Sequence, residues 1–232
     1  MTEFIGVYGA SGFGKEVMPL VRQKFPNLKK EQFVFIDDGQ VGGSLNGYSV
    51  LAYTDFINNT AKHKAVTIAI ANSTVREKLA VRLNEDGVQH LAIQAENTVI
   101  LDEVEIGEGS LLCPFTCLTS NIKIGKFFHA NIYSYVAHDC VIGDYVTFAP
   151  GVKCNGNIHI EDHAYIGTGA VIKQGTPDKP LVIGKGAVIG MGAVVTKSVP
   201  AGVTVVGNPA ATVITSSPLL TCLSLSKGEV KA

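Results

Sequence analysis

From Ile100 to Val195 an apolar residue falls on every sixth position, and this beat limits the fold more than any other feature of the chain. It runs through Ile100, Ile106, Leu112, Leu118, Ile124 and onward to Ile172, then resumes at Ile183, Ile189 and Val195. The slip of five residues between the two runs predicts a loop around Gln174–Pro180 that bulges out and leaves the register intact. Four places beyond each apolar position the residue is usually small or β-branched, as at Ser110, Thr116, Cys140, Val152, Ala164 and Ala170. One place beyond it there is often glycine, as at Gly107, Gly125, Gly143, Gly167, Gly184 and Gly190. Neither the 3.6-residue period of a helix nor the 2-residue period of a strand yields such a pattern.

A six-residue beat of apolar, then Gly or Asn, then small residues predicts a parallel β-helix of short strands and tight corners. Gly and Asn are expected at the corners because they tolerate positive φ. A single repeat cannot bury its apolar side alone, so the repeats must form one cooperative prism.

Ahead of the prism the chain alternates. FIGVY (4–8) reads as a buried strand, Gly9-Ala10-Ser11-Gly12-Phe13-Gly14 as a glycine turn, and KEVMPLVRQKF as a helix. QFVFI, ending at Asp37 and Asp38, and AVTIAI, ending at Ala71 and Asn72, read as further strands, and STVREKLAVRLNEDG as a second helix. This predicts a small Rossmann-like parallel sheet, an α/β domain over residues 1–93, then the all-β prism over 94–210 and a tail over 211–232 without the beat. At 232 residues and 46 % hydrophobic content the chain can bury a sizeable core. A net charge of −1 supplies no basic face for nucleic acid or an anionic membrane. The first residues enter a strand with no basic and apolar leader, so a cytoplasmic location is expected. The five cysteines lack CxxC or Cys/His metal spacing, so reduced thiols and no metal are expected.

The glycine turn places backbone N–H groups at a helix N-terminus, suited to a phosphate or its neighbouring sugar. Asp37 and Asp38, after the second strand, can accept hydrogen bonds from a ribose or a base. A nicotinamide dinucleotide and a nucleotide sugar both remain open here, and the prism favours the second, because hydride transfer has no use for it. Among six histidines, His138 sits two places after Val136, at a corner where side chains point outward, with Asp139 beside it to orient the ring.

The beat resembles that of the hexapeptide-repeat acyltransferases. That resemblance implies a left-handed coil of eighteen residues, with His138 between Ser120 and Gly156. The run HDCVIGDYVTFAPGVKCNGNIHI resembles the catalytic segment of bacterial nucleotide-aminosugar N-acetyltransferases of the bacillosamine and perosamine type, a group that shares its architecture with sialic-acid O-acetyltransferases. The resemblance covers nearly the whole chain. It implies that His138 is the general base and Asp139 its support. It further implies that Ser11, Gly12, Phe13, Asp37, Asp38, Ala71, Asn72 and Asn131 serve the nucleotide sugar, and that Thr147, Thr168 and Met191 serve acetyl-CoA. Phe13 and Thr147 stand where some members have histidine.

The expected activity is therefore acetyl transfer from acetyl-CoA to an amino group, C4 being the favoured position, of a nucleotide-linked amino-deoxysugar for bacterial surface glycans. The rivals are sugar O-acetylation, a nicotinamide-dependent reaction and a non-catalytic scaffold. A prism has flat faces and narrow edges, so a ligand pocket requires several prisms packed together, and a homotrimer is expected.

Overall fold

The computed structural model describes residues 3–213. Strand β1 (Glu3–Tyr8) leads through the glycine turn into helix α1 (Gly12–Lys24). Next come β2 (Phe33–Ile36), β3 (Ser44–Leu45), β4 (Tyr48–Leu51), α2 (Tyr53–Asn58), β5 (His63–Ile68), α3 (Ser73–Glu85) and β6 (Gln89–His90). The strand order is β3-β4-β2-β1-β5-β6, parallel except for the β3–β4 hairpin. One face of the sheet buries Val7, Phe35 and Ala65 against Val17, Met18 and Val21 of α1. The other buries Phe4, Ile36 and Val66 against Phe56 of α2 and Leu83 of α3. The expected strand–turn–helix alternation is present. The β3–β4 hairpin and α2 were not expected from the pattern, because strands of two and four residues carry no usable alternation. Their one local signal is Asn46-Gly47, both at positive φ, a pair that closes a two-residue hairpin turn.

The prism has three faces of short parallel strands. Leu111, His129, Thr147 and Tyr165 are stacked partners on the first face, each 18 residues after the one before. Tyr165 then pairs with Val188, 23 residues on, so the five-residue slip is an outward loop and the register survives it. The second face holds Tyr135–Val136, Lys153–Cys154 and Val171–Ile172, and the third Val141–Ile142, Ile158–Ile160 and Leu181–Ile183. Apolar residues of the beat and their small companions fill the interior, where Cys140, Val152, Ala164, Ala170, Ala187 and Ala193 are wholly buried.

The corners differ from expectation in an informative way. Positive φ falls three places after most apolar positions: Gly109, Gly151, Gly169, Gly186, Gly192, Asn121 and Asn157 are the residue types expected there, whereas Glu103, Phe115, Phe127, Tyr133, Asp139, Tyr145 and His163 are not. The glycines one place after the beat have ordinary φ and serve close approach. A Cβ on Gly107 would stand 2.6 Å from the backbone of Gly125, and one on Gly125 would stand 2.7 Å from that of Gly143. Coil stacking, and not chain reversal, requires glycine there.

Ile93–Gln94 already pairs with Leu111–Leu112 on the first face, while β6 belongs to the amino-terminal sheet. The beat begins only at Ile100 because Gln94 takes the place of an aliphatic. At the far end Ala211–Thr212 pairs antiparallel with Thr204–Val206 and Val213 N–H donates to Thr204 O at 3.0 Å, and residues 214–232 of the expected tail lie outside the described residues.

Candidate active site

The glycine turn is built by three glycines with different reasons. Gly9 is at φ +113 with its carbonyl so close to Gly14 that no side chain fits at either place. Gly12 has nothing within 4 Å of where a Cβ would stand, so packing does not explain it and open space lies before the first turn of α1. Ser11 is the N-cap, yet its hydroxyl makes no capping bond and no acidic side chain occupies that first turn. The N–H groups there remain available to an anionic or sugar ligand. Asp37 closes the turn by accepting from Ala10 N–H (3.1 Å) and Gly39 N–H (3.0 Å). Asp38 is exposed but already engaged: it accepts from Tyr8 hydroxyl (2.9 Å) and Tyr53 N–H (2.8 Å) and faces Arg82 at 3.6 Å. Burial and these carboxylate bonds push the Tyr8 phenol upward.

Phe13 rests against His129, ring centroids 5.5 Å apart, so the turn overlies the first face of the prism. His129 is fully buried, and neither ring nitrogen has a hydrogen-bond partner of good geometry. Desolvation, with the nearby Arg76 charge, holds it well below the usual histidine range, as the neutral imidazole.

Arg76 joins the two domains. It lies on the buried stripe of α3 with Ala80 and Leu83 and is itself fully buried. Its Nη1 donates to the carbonyls of Ile70 (2.7 Å) and Ala71 (3.1 Å) in its own domain. Its Nε donates to Phe127 O (3.1 Å), and its Nη2 to Tyr145 O (2.6 Å) and Thr147 Oγ1 (3.0 Å) on the prism. Thr147 in turn donates to Ala71 O at 3.1 Å. Burial pushes the guanidinium down to about 9, so it still carries its charge at neutral pH. Sequence reasoning missed this residue. Its signal was an arginine in register, at i, i+4 and i+7, with the buried positions of an otherwise amphipathic helix.

Beside this joint lies a cleft of about 340 Å³ lined by Ala71, Asn72, Ser73 and Thr74 and by Thr147, His163, Tyr165 and Val188 of the prism. Asn72 caps α3 by accepting from Val75 N–H at 3.0 Å. Asn131 accepts from Ile132 N–H (2.7 Å) at the edge where the first face turns into the second. Thr168 and Met191 stand on the same edge further along, joined through Gly192 N–H to Thr168 O (2.8 Å), and Met191 is 80 % exposed.

His138 and Asp139 occupy another edge, between the second and third faces and opposite the first. Asp139 Oδ2 accepts from His138 Nδ1 at 2.7 Å, and its Oδ1 accepts from Asn121 Nδ2 at 3.2 Å. These two bonds hold the carboxyl below its ordinary range. With Nδ1–H directed to Asp139, Nε2 presents its lone pair outward, as a general base requires. Directly beneath is Gly156, where a Cβ would stand 2.5 Å from the imidazole. Ser120 lies above, its carbonyl accepting from Asp139 N–H at 3.1 Å. Cys140 and Cys154 are wholly buried in the core behind the pair. The chain therefore gathers Phe13, Asn131, Thr147, Thr168 and Met191 along the first face and its edge, and holds His138 and Asp139 on the far side.

Residues 5–83 match the model of the PglD N-terminal domain. GDP-perosamine N-acetyltransferase of Escherichia coli O157:H7 is 51 % identical over 210 residues, which span 88 % of this chain and 94 % of that protein. Among solved structures, WeeI from Acinetobacter baumannii AYE is 84 % identical with a TM-score of 0.91, covering 91 % of this chain and all of that one. The acetyltransferase domain of PglB from Neisseria gonorrhoeae FA1090, in complex with acetyl coenzyme A, is 27 % identical with a TM-score of 0.79, over 91 % of this chain and 99 % of that one. The left-handed sense of the coil is that of these relatives. Its sequence and both domains agree with theirs over nearly their full length, and this chain belongs to the bacterial nucleotide-aminosugar N-acetyltransferases of the hexapeptide-repeat superfamily.

Proposed function

We propose that the protein transfers the acetyl group of acetyl-CoA to the C4 amine of a GDP-linked 4-amino-4,6-dideoxyhexose of the perosamine type. The observation that carries this reading is the His138–Asp139 pair, hydrogen-bonded at 2.7 Å on an exposed edge with only glycine beneath it. The 51 % identity to a GDP-perosamine N-acetyltransferase supports the nucleotide and the sugar.

In the reaction the amine attacks the thioester carbonyl while His138 Nε2 accepts its proton. A C–N bond forms, the C–S bond breaks, and the coenzyme leaves as a thiolate that takes up the proton from the imidazolium. Asp139 offsets the charge that the ring acquires, and bringing amine and thioester together supplies much of the acceleration. A backbone N–H near the carbonyl offsets the oxyanion. The turn at Ser11, Gly12 and Phe13, with Asp37, Asp38, Ala71, Asn72 and Asn131, holds the nucleotide sugar. Thr147, Thr168 and Met191 line the coenzyme wall, Thr147 mostly as a brace through Arg76 and Ala71.

His138 and the coenzyme wall lie on different sides of one prism, so the complete site forms where the His138 edge of one chain meets the first face and edge of another. Three chains about an axis create three equal clefts of this kind, hence a homotrimer. The exposed Met191 and Tyr165 fit a surface meant for such a cleft. No described helix is long and apolar enough to cross a membrane; the substrates are cytoplasmic metabolites, and we place the enzyme in the cytoplasm, upstream of surface-glycan assembly.

The test is turnover of purified protein with acetyl-CoA and GDP-perosamine, read as thiol release and as a gain of one acetyl group in the sugar by mass spectrometry, against UDP- and dTDP-linked 4-amino sugars. Thiol release with none of these acceptors would overturn the reading. Faster reaction with a UDP or dTDP sugar would reassign the base.

A further inference from the structure

Helix α1 places a cation where its own dipole opposes one. Lys15 is the fourth residue of Gly12–Lys24, near the positive end, and no acidic side chain occupies the first turn. Arg22 follows seven residues later, two turns on, so both lie on one face of the helix about 10 Å apart along its axis. Together with Lys30, ahead of β2, they line a hollow of about 380 Å³ between α1 and the β3–β4 hairpin.

All three cations are exposed, and among the described residues none of them pairs with a carboxylate. Glu16 and Glu31, the acids next to Lys15 and Lys30 in sequence, do not line the hollow. Its floor is apolar and fixed: Met18, Phe35 and Tyr48 are buried, and Phe35 meets Tyr48 edge-on with ring centroids 6.1 Å apart. Lys30 Nζ stands 5.0 Å from the centroid of the Tyr48 ring, whose π-face holds the ammonium in place. The same ammonium crosses Gly47 of the hairpin turn so closely that a Cβ there would stand 2.5 Å from it. Asn46, in that turn, adds an exposed amide to the rim. Three cations without carboxylate partners around one concavity concentrate positive potential on a chain whose net charge is −1.

These groups fit one class of ligand. A single carboxylate would meet the charge of one cation, whereas a diphosphate offers acceptor oxygens and negative charge at both of its ends, to a guanidinium fork and two ammonium groups spread along the helix. The volume lies within the range of small-molecule pockets, roughly 300–1,000 Å³. We propose that this hollow is a second anion site, separate from the glycine turn, that takes the diphosphate group of a small molecule, with Lys15, Arg22 and Lys30 as its cations and the Asn46 amide as a further donor. None of the residues given to the amino-sugar nucleotide lines it, and Arg22 lies toward the other end of α1 from Ser11, Gly12 and Phe13. A diphosphate bound there offsets Lys15 at the positive end of the dipole and ties α1, whose first residues form the substrate turn, to the hairpin. One source of such an anion is the class of reaction that consumes an activated sugar, since glycosyl transfer leaves the nucleoside diphosphate behind. That source rests on the acetyl-transfer reading above; the site itself does not.

The test titrates the full chain by calorimetry with inorganic pyrophosphate and, separately, with GDP, in the presence of saturating GDP-perosamine and without acetyl-CoA, so that the acceptor site is filled and no turnover occurs. The wild type should bind pyrophosphate under these conditions. Combined Lys15→Gln, Arg22→Gln and Lys30→Gln should weaken that binding about tenfold or more and flatten its salt dependence. KM for the acceptor and for acetyl-CoA should stay within about twofold of wild type. Lys30→Arg alone, which keeps a cation over the Tyr48 ring, should retain most of the affinity. The substitutions are on exposed side chains, and an unchanged melting temperature verifies folding. Equal affinity for the two probes supports recognition of the phosphates alone, and tighter GDP extends the same site to the nucleoside. A wild type that binds neither probe, or a folded triple variant that keeps the wild-type affinity, would overturn the proposal. A marked rise in KM for the acceptor in the triple variant would also overturn it, by merging the hollow with the acceptor site. If the wild type acetylates no amino sugar, the acetyl-transfer reading fails by itself, while loss of pyrophosphate binding in the triple variant still locates the site.

Discussion

Arg76 donates to Thr147 Oγ1 at 3.0 Å, and this contact spans the joint between the sheet domain and the prism. The same guanidinium fastens the Ala71 carbonyl to which Thr147 also donates, so one buried side chain sets both walls of the cleft between the domains. Replacement by methionine strands carbonyls on both sides without donors and should cost about 3 kcal/mol or more, since burying unpaired polar groups is expensive. Arg76→Lys keeps the charge but reaches fewer acceptors and should recover only part of that loss. Denaturant unfolding checks the order wild type, then Lys, then Met. Equal stability of all three would mean that the joint is held by apolar contact alone.

The second expectation concerns the pair on the opposite edge. His138→Asn in a folded protein should lower kcat by about a hundredfold or more with little change in acetyl-CoA affinity, because the ring acts in proton transfer. Cys154→Ser, inside the core, should leave the chemistry in place. Thr168→Arg should block the coenzyme wall. Refolding a mixture of His138→Asn and Thr168→Arg chains should restore part of the activity, since hybrid assemblies contain some clefts with both residues intact. No recovery from verified hybrids would place His138 and Thr168 in one chain's contribution.

How much of this was legible in the sequence depended on where each signal lies. The prism was legible because its core repeats: Ile142, Ile160 and Ile183 occupy equivalent places, and a period survives any single exception. Gln94 delayed the visible beat to Ile100 because one polar residue at the start of a beat erases its onset. The corners at Gly109, Gly151 and Asn121 carry the expected residues, but those at Phe127, Tyr145 and His163 were invisible because these rings, at positive φ, are held there by stacking on one another with centroids 5.2 and 5.3 Å apart, a tertiary reason that overrides local preference. His138 could be picked out from its corner position and its neighbour. Arg76 could not be, since its partners Phe127, Tyr145 and Thr147 lie 51 to 71 residues away.

Stability should depend on pH through His129. Its folded-state pKa is depressed by burial, so below about pH 6.5 the unfolded chain takes up a proton that the folded protein refuses. Stability should then fall as the pH drops, by up to about 1.4 kcal/mol per unit for this one site, and should be flat above it. His129→Phe removes the site and should flatten the acid limb, with the new ring facing Phe13. Urea unfolding at pH 7 and pH 5 in both proteins measures this. An acid limb of the same slope in His129→Phe would assign the effect to other groups, His90 among them, which burial also lowers.

Two glycine substitutions should separate catalysis from folding. At Gly156 an added Cβ would meet Cε1 and Nε2 of His138 at 2.5 Å, the far end of a half-exposed side chain that can swing away. Gly156→Ala should therefore cost little stability, on the order of 1 kcal/mol. It should displace the imidazole from Asp139 and lower kcat at least tenfold, because a misplaced base loses alignment with the amine. At Gly125 the added Cβ would meet Asp144 Oδ1 at 2.3 Å and the backbone of Gly143 at 2.7 Å, and stacked coils cannot move apart at one place without losing their ladder. Gly125→Ala should cost about 2 kcal/mol or more, yet it leaves the His138–Asp139 edge untouched, so its folded fraction should turn over near the wild-type rate. Melting temperatures and kcat per folded protein distinguish the two. If Gly156→Ala keeps full kcat, the imidazole tolerates displacement and its contact with Asp139 is not what aligns the base.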